Sequence, residues 1–334
     1  MNHILAVVVI GRNEGERLSH CLRSIREMKH SFTATEVIYV DSASIDDSVR
    51  RARDSGARVI SLPSGPTTAA RGRNAGWRST SADLVLFLDG DTVLDPDFVM
   101  NAMAALTEPK VAVVWGHRRE LAPGASFYNR VLDLDWIYRP GVSDFCGGDA
   151  LMRREVLTEV GGYNESLIAG EEPEMCGRMR ACGYQIMHID CPMTLHDLAM
   201  TSWQQYWKRA TRAGFAYASI SKRSRNTTQP LWVRDARRNL IHGSALLCLP
   251  ILGISASLAM HSLIPITCVA LLLLLLVMRT MRRVSWKCPH NSLTAFLYAI
   301  HSHLQQIPIL FGQIKFFWDR GAVQQLIEYK ESVR

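Results

Sequence analysis

Apolar and polar positions come in alternating blocks along the first part of the chain. Leu5-Ala6-Val7-Val8-Val9-Ile10 is an unbroken apolar run, and such a short β-branched stretch predicts a buried strand. It lacks the length and the basic lead-in of a signal peptide. From Glu14 to Met28 the spacing turns helical, with Leu18, Leu22 and Ile25 on one face. Val37 to Val40 predicts a second strand, closed by Asp41. Ile45 to Ser55 predicts a second helix, with Asp46 and Asp47 in the first turn, where the dipole favours them. Arg58 to Leu62 predicts a third strand, Thr67 to Arg78 a third helix, and Leu84 to Leu88 a fourth strand. Strands without alternation, separated by amphipathic helices, predict an α/β fold with a mostly parallel sheet covered on both faces.

A different pattern starts later. From Asn239 to Met278 there is no Asp, Glu, Lys or Arg over 40 residues. As helix that stretch is roughly 60 Å long, about twice the ~30 Å hydrocarbon core of a bilayer. Two spans with a turn at His261-Ser262 fit it. Arg234, Arg237 and Arg238 precede the region, and Arg279, Arg282, Arg283 and Lys287 follow it. Basic flanks mark the cytoplasmic side, and a hairpin puts both flanks there. The six-leucine run Leu271 to Leu276 argues against a hairpin buried in a soluble core. Leu293 to Trp318 is apolar but broken by His301, His303, Gln305, Gln306, Gln313 and Lys315, with Pro308 and Gly312 to bend it. It predicts a segment lying along the membrane surface. The expected division is a catalytic domain at 1–225, a basic juxtamembrane linker at 226–242, a two-span hairpin at 243–278 and a cytoplasmic or interfacial helical tail at 279–334.

Composition changes this picture little. Apolar residues make up 48% of the chain and charged residues 21%, as in an ordered protein. The net charge of +7 admits nucleic acid, anionic lipid or phosphorylated substrates. The basic residues gather at the flanks of the apolar stretch without interleaved aromatics, which favours lipid and disfavours nucleic acid. The eight cysteines form no Cys-x-x-Cys pair, so reduced thiols are expected and a zinc site is not.

The candidate chemistry begins at Asp89-Gly90-Asp91, where the fourth strand breaks. Two carboxylates one residue apart repel and raise each other's pKa. A bound Mg²⁺ or Mn²⁺ relieves that cost and can hold a diphosphate, although Asp and Gly are also ordinary turn residues. In a parallel sheet, ligands bind beyond the carboxyl ends of the strands. Gly11-Arg12-Asn13-Glu14 and Asp41-Ser42 lie at such ends too, so all three are expected to share one crevice.

Taken together, Val7 to Glu14, Val40-Asp41-Ser42-Ala43-Ser44-Ile45-Asp46, Ala70-Arg71-Gly72-Arg73-Asn74-Ala75-Gly76, Leu86-Phe87-Leu88-Asp89-Gly90-Asp91, Phe145-Cys146-Gly147-Gly148-Asp149-Ala150 and Gly170-Glu171-Glu172-Pro173-Glu174-Met175 resemble the family-2 glycosyltransferases. These are inverting enzymes of the GT-A fold. The resemblance covers about Met1 to Tyr217 and rests on the order and spacing of loose motifs. It implies a nucleotide-sugar donor and a lipid-linked or glycan acceptor at the inner membrane, with the catalytic domain in the cytoplasm. It implies Asp91 as the direct metal ligand, with Asp89 near the ribose or the metal and His196 completing the shell or touching the diphosphate. Glu172 becomes the base and Glu171 its runner-up. Asn13, Glu14, Asp41, Arg73 and Asn74 face the nucleotide. Arg209 or Arg212 closes over the diphosphate, or their helix lies on anionic lipid. Gly148 and Asp149 belong to the acceptor loop. A polyprenyl-phosphate sugar synthase and a processive polysaccharide synthase are the alternative activities. A decayed, non-enzymatic scaffold is disfavoured by the intact Asp91 and Glu172. A nucleotidyltransferase is disfavoured because no Gly-rich phosphate loop follows the first strand.

Overall fold

A computed structural model describes residues 3–63 and 68–318. Thr67 and the tail beyond Trp318 lie outside the described residues. In chain order the elements are β1 (Ile4–Gly11), α1 (Glu16–Arg26), β2 (Ala34–Asp41), α2 (Ser48–Asp54), β3 (Arg58–Ser61), α3 (Ala69–Arg78), β4 (Leu84–Asp89), β5 (Thr92–Leu94), α4 (Phe98–Ala105), β6 (Val111–Glu120) and α5 (Phe127–Asp133). They continue with β7 (Gly141–Ser143), β8 (Ala150–Arg153), α6 (Arg154–Glu159), α7 (Glu171–Ala181), β9 (Gln185–His196), α8 (Trp203–Ser224), α9 (Val233–Ala259), α10 (Ile264–Val284), α11 (Ser292–Leu304) and α12 (Gln306–Trp318).

One sheet runs in the order β3-β2-β1-β4-β8-β6-β9-β5, with β7 on the side of β9. The half from β3 to β4 is parallel. Its central strands are fully buried on both faces, as their unbroken apolar runs predict. β8 enters antiparallel between β4 and β6, and β6 and β9 run parallel. β8 puts Ala150 opposite Phe87, which sets Asp149 beside the end of β4. The short strand β5 pairs Thr92 with His196 of β9, which sets Asp91 beside that histidine.

The second helix starts at Ser48, three residues later than its pattern predicts. Residues 42–47 form a loop instead. Asn13 Oδ1 accepts from the Ile45 N–H at 2.9 Å, and Asp41 Oδ2 accepts from the Ser44 N–H at 2.9 Å. Asp46 Oδ1 accepts from the Ser48 N–H, so Asp46 precedes the helix rather than lying in its first turn.

The two long apolar helices are α9 and α10, and the segments Val233–Ala259 and Ile264–Lys287 are long and apolar enough to cross a bilayer. They pack against each other at Gly253, where a Cβ would lie 3.0 Å from Val269. The turn falls at Met260 to Leu263, as expected. No residue of α10 is buried. The stretch 226–242, expected as a linker, is mostly helix, because α9 already starts at Val233.

The helices after the hairpin fold back on α8 and α5. Gly214 of α8 and Gly312 of α12 mark the crossing. A Cβ on Gly214 would lie 2.0 Å from the Ile309 carbonyl oxygen, and one on Gly312 would lie 2.0 Å from that of Thr211. α11 docks through a buried polar cluster. Tyr298 donates to Asp135 at 2.8 Å, and His301 Nδ1 is hydrogen-bonded to the Tyr206 hydroxyl at 2.8 Å. Tyr298 also packs with Val131, Leu132 and Tyr206. The outer faces carry exposed Leu293, Phe311, Ile314, Phe317 and Trp318.

Candidate active site

The site forms at the carboxyl end of β4. Arg73, on α3, is its hub. Thr68 caps that helix by accepting from the Arg71 N–H, and the helix packs on the sheet so that the Arg73 guanidinium is buried. Nη2 donates to Asp89 Oδ1 at 2.9 Å, and Nη1 donates to Glu171 Oε1 at 3.0 Å and to Glu172 Oε1 at 2.8 Å. One cation thus holds three carboxylates from two distant parts of the chain. A buried guanidinium requires such partners, and its planar fork suits several carboxylates at once. Arg73 was expected to face the nucleotide. Its two terminal nitrogens are engaged by these carboxylates instead, while its Nε is buried without a hydrogen-bond partner among the described residues.

Glu171 and Glu172 open α7. Gly170, just before it, has φ of 81°, a left-handed conformation that glycine adopts without strain. Burial pushes the Glu172 carboxyl up to about 7, the neighbouring Glu171 charge adds to this, and Arg73 opposes it. A carboxylate poised near neutrality suits a general base.

Asp89 faces a second cation. Arg118, from the polar end of β6, lies 3.3 Å from Asp89 Oδ2 and 3.4 Å from Asp149 Oδ2. Asp149 is buried. Its Oδ1 accepts from the Asp89 N–H at 3.0 Å and its Oδ2 from the Thr194 hydroxyl at 2.8 Å. It was expected to bind acceptor hydroxyls. Instead it fixes the turn that carries the Asp-Gly-Asp motif. Gly148 has a similar task, since a Cβ there would lie 2.5 Å from Arg73 Nη2 and 3.1 Å from Asp89 Oδ2.

Asp91 and His196, the expected metal ligands, lie side by side. Their side chains are buried, with Asp91 Oδ2 3.2 Å from His196 Nε2. Burial, and then the charge of Arg118, hold the imidazole well below its usual pKa, which keeps it neutral and able to ligate. His196 Nδ1 is buried without a hydrogen-bond partner. An oxygen and a nitrogen donor suit a divalent cation. Asp89, engaged by two guanidiniums, fits a ligand role less well than Asp91. No cluster of three or more His, Cys, Asp or Glu side chains in ligating reach occurs among the described residues.

The other expected residues divide. Asn13, Glu14 and Asp41 stand at the ends of β1 and β2, beside the crevice. The Asp41 carboxylate accepts from the Tyr39 hydroxyl as well as from Ser44, and Glu14 pairs with Arg17 at 2.9 Å. Asn74 turns away from the crevice. Its side chain donates to the Tyr163 carbonyl and to Glu165, and accepts from Trp77 and the Tyr163 N–H. It clamps the loop before α7. Arg212 also points elsewhere, donating to the Ile168 carbonyl at 2.6 Å. Arg209 is placed in the site, 5.8 Å from the centre of the Trp136 ring, and Arg118 approaches the same ring to 5.1 Å.

Arg118 and Trp136 were not anticipated. Arg118 left a trace, because the apolar run of β6 ends in His117-Arg118-Arg119-Glu120 at a strand's carboxyl end. Trp136 left none. Beside them lies a cavity of about 150 Å³ lined in part by Trp115, Trp136, Tyr138 and Phe145. Cys146 and Cys176 lie nearby, their sulfurs 3.6 Å apart and both unoxidised.

Two family models match this chain, Glycosyl transferase family 2 over residues 6–161 and Glycosyl transferase family group 2 over residues 84–298. The chain belongs to glycosyl transferase family 2. It is 25% identical over 270 residues to a pre-mycofactocin glycosyltransferase of Mycobacterium tuberculosis, an alignment covering 76% of this chain and 53% of that one. The chain therefore spans about half the length of that curated relative. It is 23% identical over 218 residues to the O-antigen chain rhamnosyltransferase RfbN of Salmonella typhimurium, covering 60% and 69% of the two chains. The fold matches that of a mannosyltransferase from Pyrobaculum calidifontis solved with GDP-Man and Mn²⁺, with a TM-score of 0.69 and 18% identity over 96% of this chain and 88% of the other. The architecture is thus the GT-A sheet expected from the sequence, with two further apolar helices.

Proposed function

We propose that this family-2 protein is an inverting glycosyltransferase that moves a sugar from a nucleotide donor to a lipid-linked or cell-surface glycan acceptor. The carrying observation is the arrangement around Arg73, which joins a carboxyl poised near pH 7, Glu172, to the Asp89 turn that presents Asp91. Inverting transfer needs a base on one side of the sugar and a neutralised leaving group on the other. Glu172 takes the proton of the acceptor hydroxyl. Arg118 and Arg209 offer guanidinium donors to the departing diphosphate. Asp91 and His196 would hold a divalent cation. When bound, the ion supplies Lewis-acid stabilisation of the developing charge.

The exposed apolar faces of α9 and α10 support a membrane hairpin, since patches of that size on a soluble monomer are unusual. Both basic flanks then fall on the cytoplasmic side, together with the catalytic domain. On this reading the crevice lies beside lipid. The aromatic cavity next to Gly148 suits a sugar ring of the acceptor, which favours this reading over a polyprenyl-phosphate sugar synthase.

The test is a donor screen on purified membranes, following release of UDP, GDP or dTDP in the presence of a lipid extract. Release from one sugar nucleotide that depends on Glu172 supports the reading. Undiminished release by the Glu172→Gln variant would sink it.

A further inference from the structure

Arg234, Arg237, Arg238, Ile241 and His242 line an open groove of about 400 Å³ along the first turns of α9. Their spacing puts them on one side of the helix. Arg238 pairs with Asp235 at 2.8 Å, and Arg234 and Arg237 have no ion pair among the described residues. Among the described residues the groove lining therefore carries three guanidiniums, and Asp235 is the carboxylate paired with one of them. The opposite side of the same helix is taken up by packing, with Gln313 of α12 donating to the Ala236 carbonyl and Gly243 lying against Gln306 and Leu310.

The groove lies at a defined level. His242 Nε2 is hydrogen-bonded to His303 Nδ1 at 3.0 Å, and His303 Nε2 to the Thr280 hydroxyl at 3.1 Å. This relay ties α9, α11 and α10 together where both apolar helices change to basic sequence. One turn above the arginines the helix exposes Leu240 and Ile241, and the apolar run continues from there. An occupant thus meets guanidiniums at one end and a hydrocarbon-like surface at the other.

We propose that this groove binds the phosphodiester headgroup of an anionic phospholipid, with its acyl chains along α9. The inference rests on the membrane-hairpin reading. Arg234 and Arg237 supply the phosphate donors, because a guanidinium fork matches phosphate oxygens. A zwitterionic lipid, whose choline would sit among the same arginines, is disfavoured.

The full chain, purified in detergent and reconstituted, tests both steps. Flotation with vesicles of phosphatidylcholine alone reports insertion of the hairpin. Failure to float would overturn the hairpin itself. Spin-labelled phosphatidylglycerol and phosphatidylcholine then report which lipid is immobilised at the protein. Phosphatidylglycerol is expected to be enriched, and the Arg234→Gln/Arg237→Gln variant to lose that enrichment by about fivefold for each charge removed. The Arg282→Gln/Arg283→Gln variant is expected to keep most of it. Equal loss in both variants would mean diffuse surface charge, and that result, or an unchanged preference in the α9 variant, overturns the site.

Discussion

Arg73 Nη1 lies 2.8 Å from Glu172 Oε1, although the two residues are 99 positions apart. The same guanidinium holds Glu171 and Asp89. Arg73→Ala would leave three carboxylates around an uncompensated buried site, a change that typically costs about 3–5 kcal/mol. Thermal unfolding should show a correspondingly large drop in midpoint. Arg73→Lys keeps the charge but reaches fewer oxygens, so it should recover part of the stability and little of the activity. A fully stable, fully active Arg73→Ala protein would remove Arg73 from the centre of the site.

This hub marks the limit of what the chain disclosed as sequence. The parallel strands were legible because β1, β2 and β4 are unbroken apolar runs that end in polar residues. The acidic start of α7 was legible for the same local reason. Arg73 was visible as a cation near the crevice, but its partners are 16, 98 and 99 residues away, and no periodicity encodes that convergence. Asp149 and Asn74 were misread because a polar side chain in a loop gives no sign of whether it serves a ligand or its own backbone. The β5–β9 pairing that joins Asp91 to His196 involves only three residues of β5, too short a strand to stand out. Docking of α12 on α8 through Gly214 and Gly312 was invisible, since small residues leave no amphipathic signal.

The acid limb of the pH profile should belong to Glu172. A carboxyl raised to about 7 by burial and by Glu171 is protonated below that pH and cannot accept a proton. Turnover should therefore fall about tenfold per pH unit below 7 and level off above it. Glu172→Gln should lose on the order of 10²- to 10⁴-fold in kcat. Glu171→Gln removes a like charge beside the base, so the Glu172 pKa should fall and the acid limb move to lower pH. A pH–rate profile of the three proteins separates the roles. An acid limb that vanishes in Glu171→Gln but persists in Glu172→Gln would exchange the two assignments.

Activity should depend on a divalent cation held by Asp91 and His196. Chelation by EDTA should stop nucleotide release, and Mn²⁺ or Mg²⁺ should restore it. Loss of mere outer-shell support for a metal ligand costs about 10- to 100-fold in affinity. His196→Ala should therefore raise the half-activating Mn²⁺ concentration by at least about that factor, and Asp91→Ala should abolish turnover. Activity that survives exhaustive chelation would assign the leaving-group charge to Arg118 and Arg209 alone.

The contact between α8 and α12 should be intolerant of any side chain. A Cβ at Gly214 or Gly312 would meet a backbone oxygen at 2.0 Å, and backbone cannot move aside as a flexible side chain can. Overpacking of this kind typically costs about 1–3 kcal/mol. Gly312→Val should therefore loosen α12 from the catalytic domain and expose the α11–α12 segment to limited proteolysis, with the cleavage sites read by mass spectrometry. Gly124→Ala is the control, because a Cβ there meets nothing within 4 Å. Since α8 also carries Arg209 toward Trp136, the Gly312 variant should lose turnover along with its protease resistance. Retained activity with a cleaved tail would show instead that α8 holds Arg209 in place without α12.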